Sequence, residues 1–411
     1  MHPILKRLMP LAAAATLLAG CGKGIEPVTP VPGPPLSSLV ISPEADTLRV
    51  GQSRLFTAVA RDISGNVTST TLGWSSSDPA VVTVNAAGSA NAAGEGLARV
   101  IVAAGGKADT ATVFVYADTG WVAQTSNAIE DLNGVFFDPG GRAGWAVGNA
   151  GVVLATTDAG ATWTRSIPTT YSLHGVWFTS RDEGWAVGNG GTVLRTTDGG
   201  AIWTRLTNVG ESKNLMRVHF ATRDTGWAVG TGGLVLRTFD RGASWQKVYP
   251  VATTLNSVMF AGTRDGWAVG DGGAILGTHD RGLTWFRVQP AITSQNLKGA
   301  WRRSAALAVA VGAQGVVPMT AVTPDSVAWQ LQSAGAANQL EGVCFPTDQV
   351  GYAVGLNGTG TVLRSDDGGM SWQPQQPDAQ FRLNAVFFVD ALRGWAVGNN
   401  GLIRHTAHGG H

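Results

Sequence analysis

The pentapeptide Gly-Trp-Ala-Val-Gly begins at Gly144, Gly184, Gly226, Gly266 and Gly394, and returns as "AVAVG" at Ala308 and "GYAVG" at Gly351. Seven copies at intervals of about 40 to 43 residues leave the chain few choices. An interval of that size holds four short strands but cannot bury a core by itself, so the copies must pack on one another. The 56 glycines and 15 tryptophans among 411 residues suit such a design, one supplying tight turns and the other large packing surfaces.

Each copy divides in the same way. A first strand reads "LNGVFF", "LHGVWF", "LMRVHF", "LNSVMF", "LKGAWR", "LEGVCF" or "LNAVFF"; GWAVG is the second; a "TVLRTT" type segment is the third; a fourth begins at a tryptophan. Four short strands per repeat read as the blades of a β-propeller. The seventh copy reaches His411 before any fourth strand, whereas the repeats open with an orphan one, "GWVAQT" at Gly120 to Thr125. Placing that strand on the last blade closes the ring and removes two sheet edges. The expected fold is therefore all-β, with a seven-bladed propeller over 117–411.

Between the third and fourth strands lies Ser/Thr-x-Asp-x-Gly-x-x-Trp, the Asp-box pattern. Five copies are intact, centred on Asp158, Asp198, Asp240, Asp280 and Asp367; the fifth repeat has "TPDSVAW" and the seventh has His408 in place of Asp. A carboxylate that accepts N–H groups within the turn, a glycine at positive φ and a covering indole make a hairpin device. Carboxylates spread around a ring cannot share one active site. These aspartates are read as structural.

Asp-boxes also occur in sialidases and other glycoside hydrolases. Sialidases would require a Phe/Tyr-Arg-Ile-Pro element, an arginine triad and a Tyr/Glu pair; no such tetrapeptide is present, and the propeller has only Tyr171, Tyr249 and Tyr352. Glu130, Asp131, Glu211, Asp271, Glu341 and Asp378 lie outside the repeat slots and form no obvious pair for glycoside hydrolysis. Cys344 alternates with strand residues as a small core side chain, and the repeat places no histidine near it. His405, His408 and His411 are spaced by three, which on a strand does not converge on a metal. No catalytic residue, metal or cofactor is expected. A net charge of +1 provides no global field for nucleic acid.

The N-terminus is basic at Lys6 and Arg7, then apolar from Leu8 to Ala19, too short to span a bilayer and shaped like a secretory signal. Leu18-Ala19-Gly20-Cys21 resembles a bacterial lipobox, which implies a signal peptide over 1–20, lipid on Cys21 and a cell-envelope location, with Gly22 and Lys23 favouring the outer membrane. A Pro-rich linker at 21–35 should be stiff and extended. Residues 36–116 resemble the bacterial group 2 immunoglobulin-like domain through Leu48, Val50, Gly51, the run "WSSSDPAVVTV" from Trp74, and Gly94 and Gly96. The resemblance implies a β-sandwich used as spacer or adhesive module, with Trp74 between the two sheets.

The phrases "LHGVWFTSRDEGWAVG" (173–188) and "GWAVGNGGTVLRTTDGGAIW" (184–203) are similar to the photosystem II stability/assembly factors, propellers of plants and cyanobacteria. That resemblance, over 117–411, implies a propeller that binds a membrane-protein precursor, partly through an arginine-rich surface. Arg195, Arg237 and Arg364 fill one slot of the third strand, and Arg302 and Arg303, with Lys298, break the pattern of the fifth repeat. They are candidate partner-binding residues; the other reading stacks each guanidinium on a neighbouring blade's tryptophan. The links between blades vary, and with Asn149, Asn189, Asp271 and Asn399 in the adjoining turns they should form the recognition face. The expectation is a non-catalytic, lipid-anchored envelope protein whose propeller binds a protein partner. The alternatives are a carbohydrate-binding or glycoside-hydrolase-type propeller, or a surface adhesin.

Overall fold

The computed structural model describes residues 35–116, 120–207, 209–302, 308–323, 326–335, 339–356, 360–375 and 382–410. Cys21, the linker up to Pro34, Arg303, Asp378 and His411 lie outside them.

Residues Leu36 to Tyr116 form three sheets. Leu36–Ser42 pairs with Thr57–Asp62; Ala45–Arg49, Lys107–Tyr116, Gly96–Ala104 and Gly73–Ser76 make a second sheet; Ser53–Leu55, Ser89–Ala92 and Val82–Val84 make a third. One core serves all three, built from alternating residues such as Ile41, Phe56, Val82, Val100 and Val113. Trp74 is partly buried and packs against the edge of that core. The Asp78 carboxylate accepts the Ala80 N–H at 3.0 Å and turns the chain towards Val82.

From Val122 to Thr406 the described residues build seven four-stranded antiparallel sheets. The first is a meander of Leu132–Phe137, Gly144–Gly148, Val153–Thr156 and Thr164–Ser166. Sheets two to six start at Leu173–Phe178, Leu215–Phe220, Leu255–Ala261, Leu297–Arg302 and Gln339–Cys344 and follow the same order. The seventh takes Leu383–Phe388, Gly394–Gly398 and Ile403–Thr406 from the end of the chain, and its outermost strand, Val122–Gln124, from far upstream. Val122 pairs with His405 and Gln124 with Ile403, antiparallel. The first strand of each sheet packs on the first strand of the next, and Leu383–Phe388 packs on Leu132–Phe137, which returns the series to its start.

GWAVG is the joint between sheets. Its tryptophan stacks on the last phenylalanine of the following sheet's first strand: Trp145 on Phe178, Trp185 on Phe220 and Trp227 on Phe260, with ring centroids 3.5, 3.7 and 3.5 Å apart. The indole N–H then reaches the following sheet's Asp-box turn, Trp145 to the Gly199 carbonyl at 2.7 Å and Trp227 to that of Arg281 at 2.9 Å. The joint between last and first sheets is the same: Trp395 stacks on Phe137 at 3.5 Å and donates to the Ala159 carbonyl at 3.1 Å. Tyr352 substitutes for tryptophan, stacking on Phe388 at 3.6 Å and donating its hydroxyl to Gly409. The glycines of the pentapeptide are steric necessities. A Cβ on Gly144 would meet the Phe137 ring at 2.3 Å, and one on Gly148 would meet the Asp131 carbonyl at 2.1 Å.

The fifth sheet departs from this pattern on both sides. Arg302 ends its first strand in the slot that holds phenylalanine in the other copies, and Trp267 packs edge-on to Trp329, at 5.1 Å. Val309 occupies the tryptophan slot ahead of Phe345.

Candidate functional site

The intact Asp-boxes share one hydrogen-bonding scheme. Asp158 accepts the Thr156 hydroxyl at 2.7 Å, the Thr162 N–H at 2.9 Å and the Thr162 hydroxyl at 2.7 Å. Asp240 accepts from Thr238, Ser244 N–H and Ser244 Oγ; Asp280 from Thr278 and Thr284; Asp367 from Ser365 and Ser371. Asp198 takes the Thr196 hydroxyl and the Ile202 N–H. Donors from Thr162 and Thr156 hold the Asp158 carboxyl at about 2. Burial works against ionisation of Asp280, but Thr284 and Thr278 outweigh it and its value is also about 2. Each carboxylate is spent within its own turn. In the seventh sheet His408 lacks the acceptor, yet Thr406 Oγ still takes the Gly410 N–H at 2.8 Å, so the turn persists.

The arginines of the third strands are engaged too. Strand register places Arg195 opposite Trp185, Arg237 opposite Trp227 and Arg364 opposite Tyr352. Arg195 donates to Glu183 at 2.6 Å and lies 5.9 Å from the Trp185 ring centroid. Arg364 bonds Asp366 and the Gly409 carbonyl, 5.8 Å from the Tyr352 ring, with its side chain only 11% exposed. Arg237 lies over Phe239 at 5.6 Å. The aromatic stacking expected on a neighbouring sheet's tryptophan is thus found within the same sheet, where strand register sets Arg195 and Arg364 opposite an aromatic ring. Arg195, Arg237 and Arg364 belong to the second, third and sixth sheets and do not converge. Arg302, also expected at the surface, is 9% exposed, since it fills a core slot.

The other face gathers the turns between second and third strands and the links between sheets. Among the described residues six of these turns are short 3-10 segments, pressed onto a link as in three of them: Gly151 lies against the Thr169 carbonyl, Gly191 against that of Glu211 and Gly273 against that of Thr293. The links carry exposed tyrosines. Tyr171 is 43% exposed with Arg205 over its ring at 5.0 Å, and Tyr249 is 49% exposed with Lys213 at 4.3 Å. Tyr249 also donates to Glu211 at 2.6 Å.

On the axis of this face opens a cavity of about 380 Å³ lined by the residue that follows the leading leucine of every first strand: Asn133, His174, Met216, Asn256, Lys298, Glu341 and Asn384. Three asparagines bridge adjacent sheets, Asn133 to the Leu173 carbonyl at 2.9 Å, Asn256 to that of Leu297 at 2.8 Å and Asn384 to that of Leu132 at 2.9 Å. Asp271 accepts Asn256 Nδ2 at 2.9 Å and lies 3.4 Å from Lys298 Nζ. Burial, reinforced by Arg217, holds His174 below its ordinary value although Asn189 opposes the shift. Arg217 lines both this mouth and a narrower apolar compartment formed by Trp177, Met259, Trp301 and Phe387.

The sequence reading missed this cavity and its arginine. The signal was there: the slot of Arg217 holds Gly134, Gly175, Ser257, Gly299, Gly342 and Ala385 in the other copies, so a long cation is out of place. Cys344, by contrast, is buried as a core residue, and burial pushes its thiol up to about 12.

The family model described as photosynthesis system II assembly factor YCF48 matches residues 115–209, 166–250, 206–313 and 321–411. No match was found among proteins of curated function. Among solved structures, YCF48 bound to D1 peptide is 22% identical with a TM-score of 0.58, covering 70% of this chain and 95% of that one. YCF48 from Cyanidioschyzon merolae is 22% identical with a TM-score of 0.59, over 70% and 98%. The WD40 β-propeller domain of Doa1, at 11% identity, reaches 0.56 over 70% and 97%. The repeat region therefore has a propeller fold.

Proposed function

This chain belongs to the photosystem II assembly factor YCF48 family, and from that premise we propose that it is a non-catalytic binding protein whose seven-bladed propeller grips a protein partner, a segment of a membrane-protein subunit, through the face that carries the links. One of the similar solved structures, YCF48, is bound to a D1 peptide. The observation that carries the reading for this chain is the pair of exposed tyrosines, Tyr171 and Tyr249, each with a cation over its ring. Exposed aromatics beside cations, on loops that a rigid scaffold holds in place, are what binding hot spots are made of. The Asp-box carboxylates bond within their turns, and nothing in this reading asks them for catalysis.

The same reading places the chain in the cell envelope, lipid-anchored at Cys21, with an immunoglobulin-like spacer over 36–116 holding the propeller off the membrane. Labelling with a fatty-acid probe should mark the full chain and fail on Cys21→Ala. The partner face is tested by crosslinking the full chain in native envelopes, then measuring its affinity for the captured segment. Tyr171→Ala with Tyr249→Ala should weaken that affinity at least about tenfold at unchanged melting temperature. Equal affinity in the double variant would move the partner to another face, and hydrolysis of a chromogenic glycoside would overturn the non-catalytic reading.

A further inference from the structure

The axial cavity contains one charge that the fold leaves unanswered. Lys298 lies 3.4 Å from Asp271, and Arg382 is ion-paired with Glu341. Asp131 accepts the Asn400 N–H at 3.0 Å and Asn149 Nδ2 at 3.3 Å. Glu341 also accepts from Gln339 at 3.0 Å. Arg217 has no hydrogen-bond or ion-pair partner among the described residues, and the nearby charge that favours it, Glu341, is already committed to Arg382.

A guanidinium presents five donors in a planar fork that matches a carboxylate. Arg217 is partly buried and lines the mouth, in a slot that the other copies fill with small residues such as Ser257 and Ala385. The volume of the mouth lies within the range of small-molecule sites. The Nδ2 groups of Asn133, Asn256 and Asn384 that ring it each donate twice to protein oxygens, so the task of holding an anion falls to Arg217. Below Arg217 the channel is apolar, with Trp177 and Trp301 on its wall. We propose that the axial mouth is a binding site for a carboxylate, held by Arg217, and that, although it opens on the same face, it acts independently of the link tyrosines used for the protein partner. The ligand chemistry is one carboxylate carrying polar substituents, supplied either by a free small acid or by the last residue of a chain.

Isothermal titration of the full chain at low salt distinguishes these sources, with succinate, N-acetyl-alanyl-alanine and the C-terminal amide of that dipeptide as probes. One or both acids should bind with a Kd of about 1 mM or tighter, and the amide at least about tenfold more weakly. Binding of succinate identifies the free acid, and binding of the dipeptide alone identifies a chain terminus. Arg217→Ser should fold, because the next copy carries serine there, and should lose at least about tenfold in affinity; Arg217→Lys, which keeps the charge without the fork, should fall between. Acid and amide binding equally, undiminished binding in Arg217→Ser, or no binding of either acid at about 10 mM would overturn the proposal.

Discussion

Glu183 is 2% exposed, and two arginines meet it: Arg195 from its own sheet at 2.6 Å and Arg223 from the next. Burial alone would raise its pKa, but the two guanidinium groups outweigh burial and hold it below the ordinary value. A folded-state value below the unfolded one gives stability that is present above the unfolded pKa of about 4.3 and is lost as pH falls through the folded one. The Asp-box carboxylates, also held low, add to the loss with the same sign. Burial holds the imidazole of His219 down to about 3 and keeps those of His174 and His405 low as well, so these rings stay neutral in the fold and lose stability as pH falls below the unfolded value of about 6.5. The melting temperature should therefore begin to fall below about pH 6.5 and fall more steeply below about 4.5, where the carboxylates add their loss. Glu183→Gln should cost about 2 kcal/mol at pH 7 by leaving two cations undercompensated, and its acid limb should be shallower than that of the parent. An unchanged acid limb would mean that Glu183 does not carry this charge in the folded state. The Asp-boxes were legible in the sequence because they recur. Glu183 and Arg217 each occur once, at positions that a repeat-based reading treats as variable filler, and only placing them in the fold shows that one is paired and the other is not.

Between elements, cohesion rests on a ring stack and an indole hydrogen bond repeated at most joints. Trp227 is fully buried, stacked on Phe260 and bonded to the Arg281 carbonyl. Trp227→Phe keeps much of the stack but loses the donor, and should cost about 1 kcal/mol. Trp227→Ala removes both and leaves a cavity, at a cost of about 3–5 kcal/mol. Chemical denaturation of the two variants reads this ratio directly, and equal losses would show that the hydrogen bond, not the stack, holds the sheets together. The strands themselves were readable, since Gly, Trp and Asp recur at fixed offsets within one copy. Their partners were not. The phenylalanine that Trp227 meets is 33 residues further on, at Phe260, and no spacing rule says that a side chain contacts the next copy in preference to its own. The rings beneath the third-strand arginines show the reverse, expected on the neighbouring sheet and found on the arginines' own.

At the scale of the molecule, one Asp-box is divided between distant parts of the chain. Thr406 and Gly410 form the turn, and Trp121, 7% exposed, supplies the indole. Trp121 meets the Phe388 ring edge-on at 5.6 Å and 84°, the geometry of Trp163 on Phe137 at 5.9 Å and 89° in an undivided copy. Gly410 packs against the Trp121 indole nitrogen, just as Gly200 packs against that of Trp203. Gln124 carries the contact further, donating to the Ala159 carbonyl of the first sheet at 2.9 Å. The upstream strand is only three residues long and its ladder is correspondingly weak, so the indole is the anchor. Trp163→Ala and Trp121→Ala remove the same contacts locally, about 3–5 kcal/mol each. Their consequences differ, because Trp163 is held in a meander on both sides while release of Trp121 bares the Ile403–Thr406 edge for pairing with another chain. Trp121→Ala should therefore gain protease sensitivity near Gly120 and form oligomers that Trp163→Ala does not, both visible by limited digestion and size-exclusion chromatography. A permutant that joins 410 to 120 through a short linker and opens at the 207–213 link makes the divided motif continuous. It should stay monomeric and should tolerate Trp121→Ala as Trp163→Ala is tolerated. If the two variants behave alike in the native connectivity, closure is shared evenly around the ring and the borrowed strand is not its weak point.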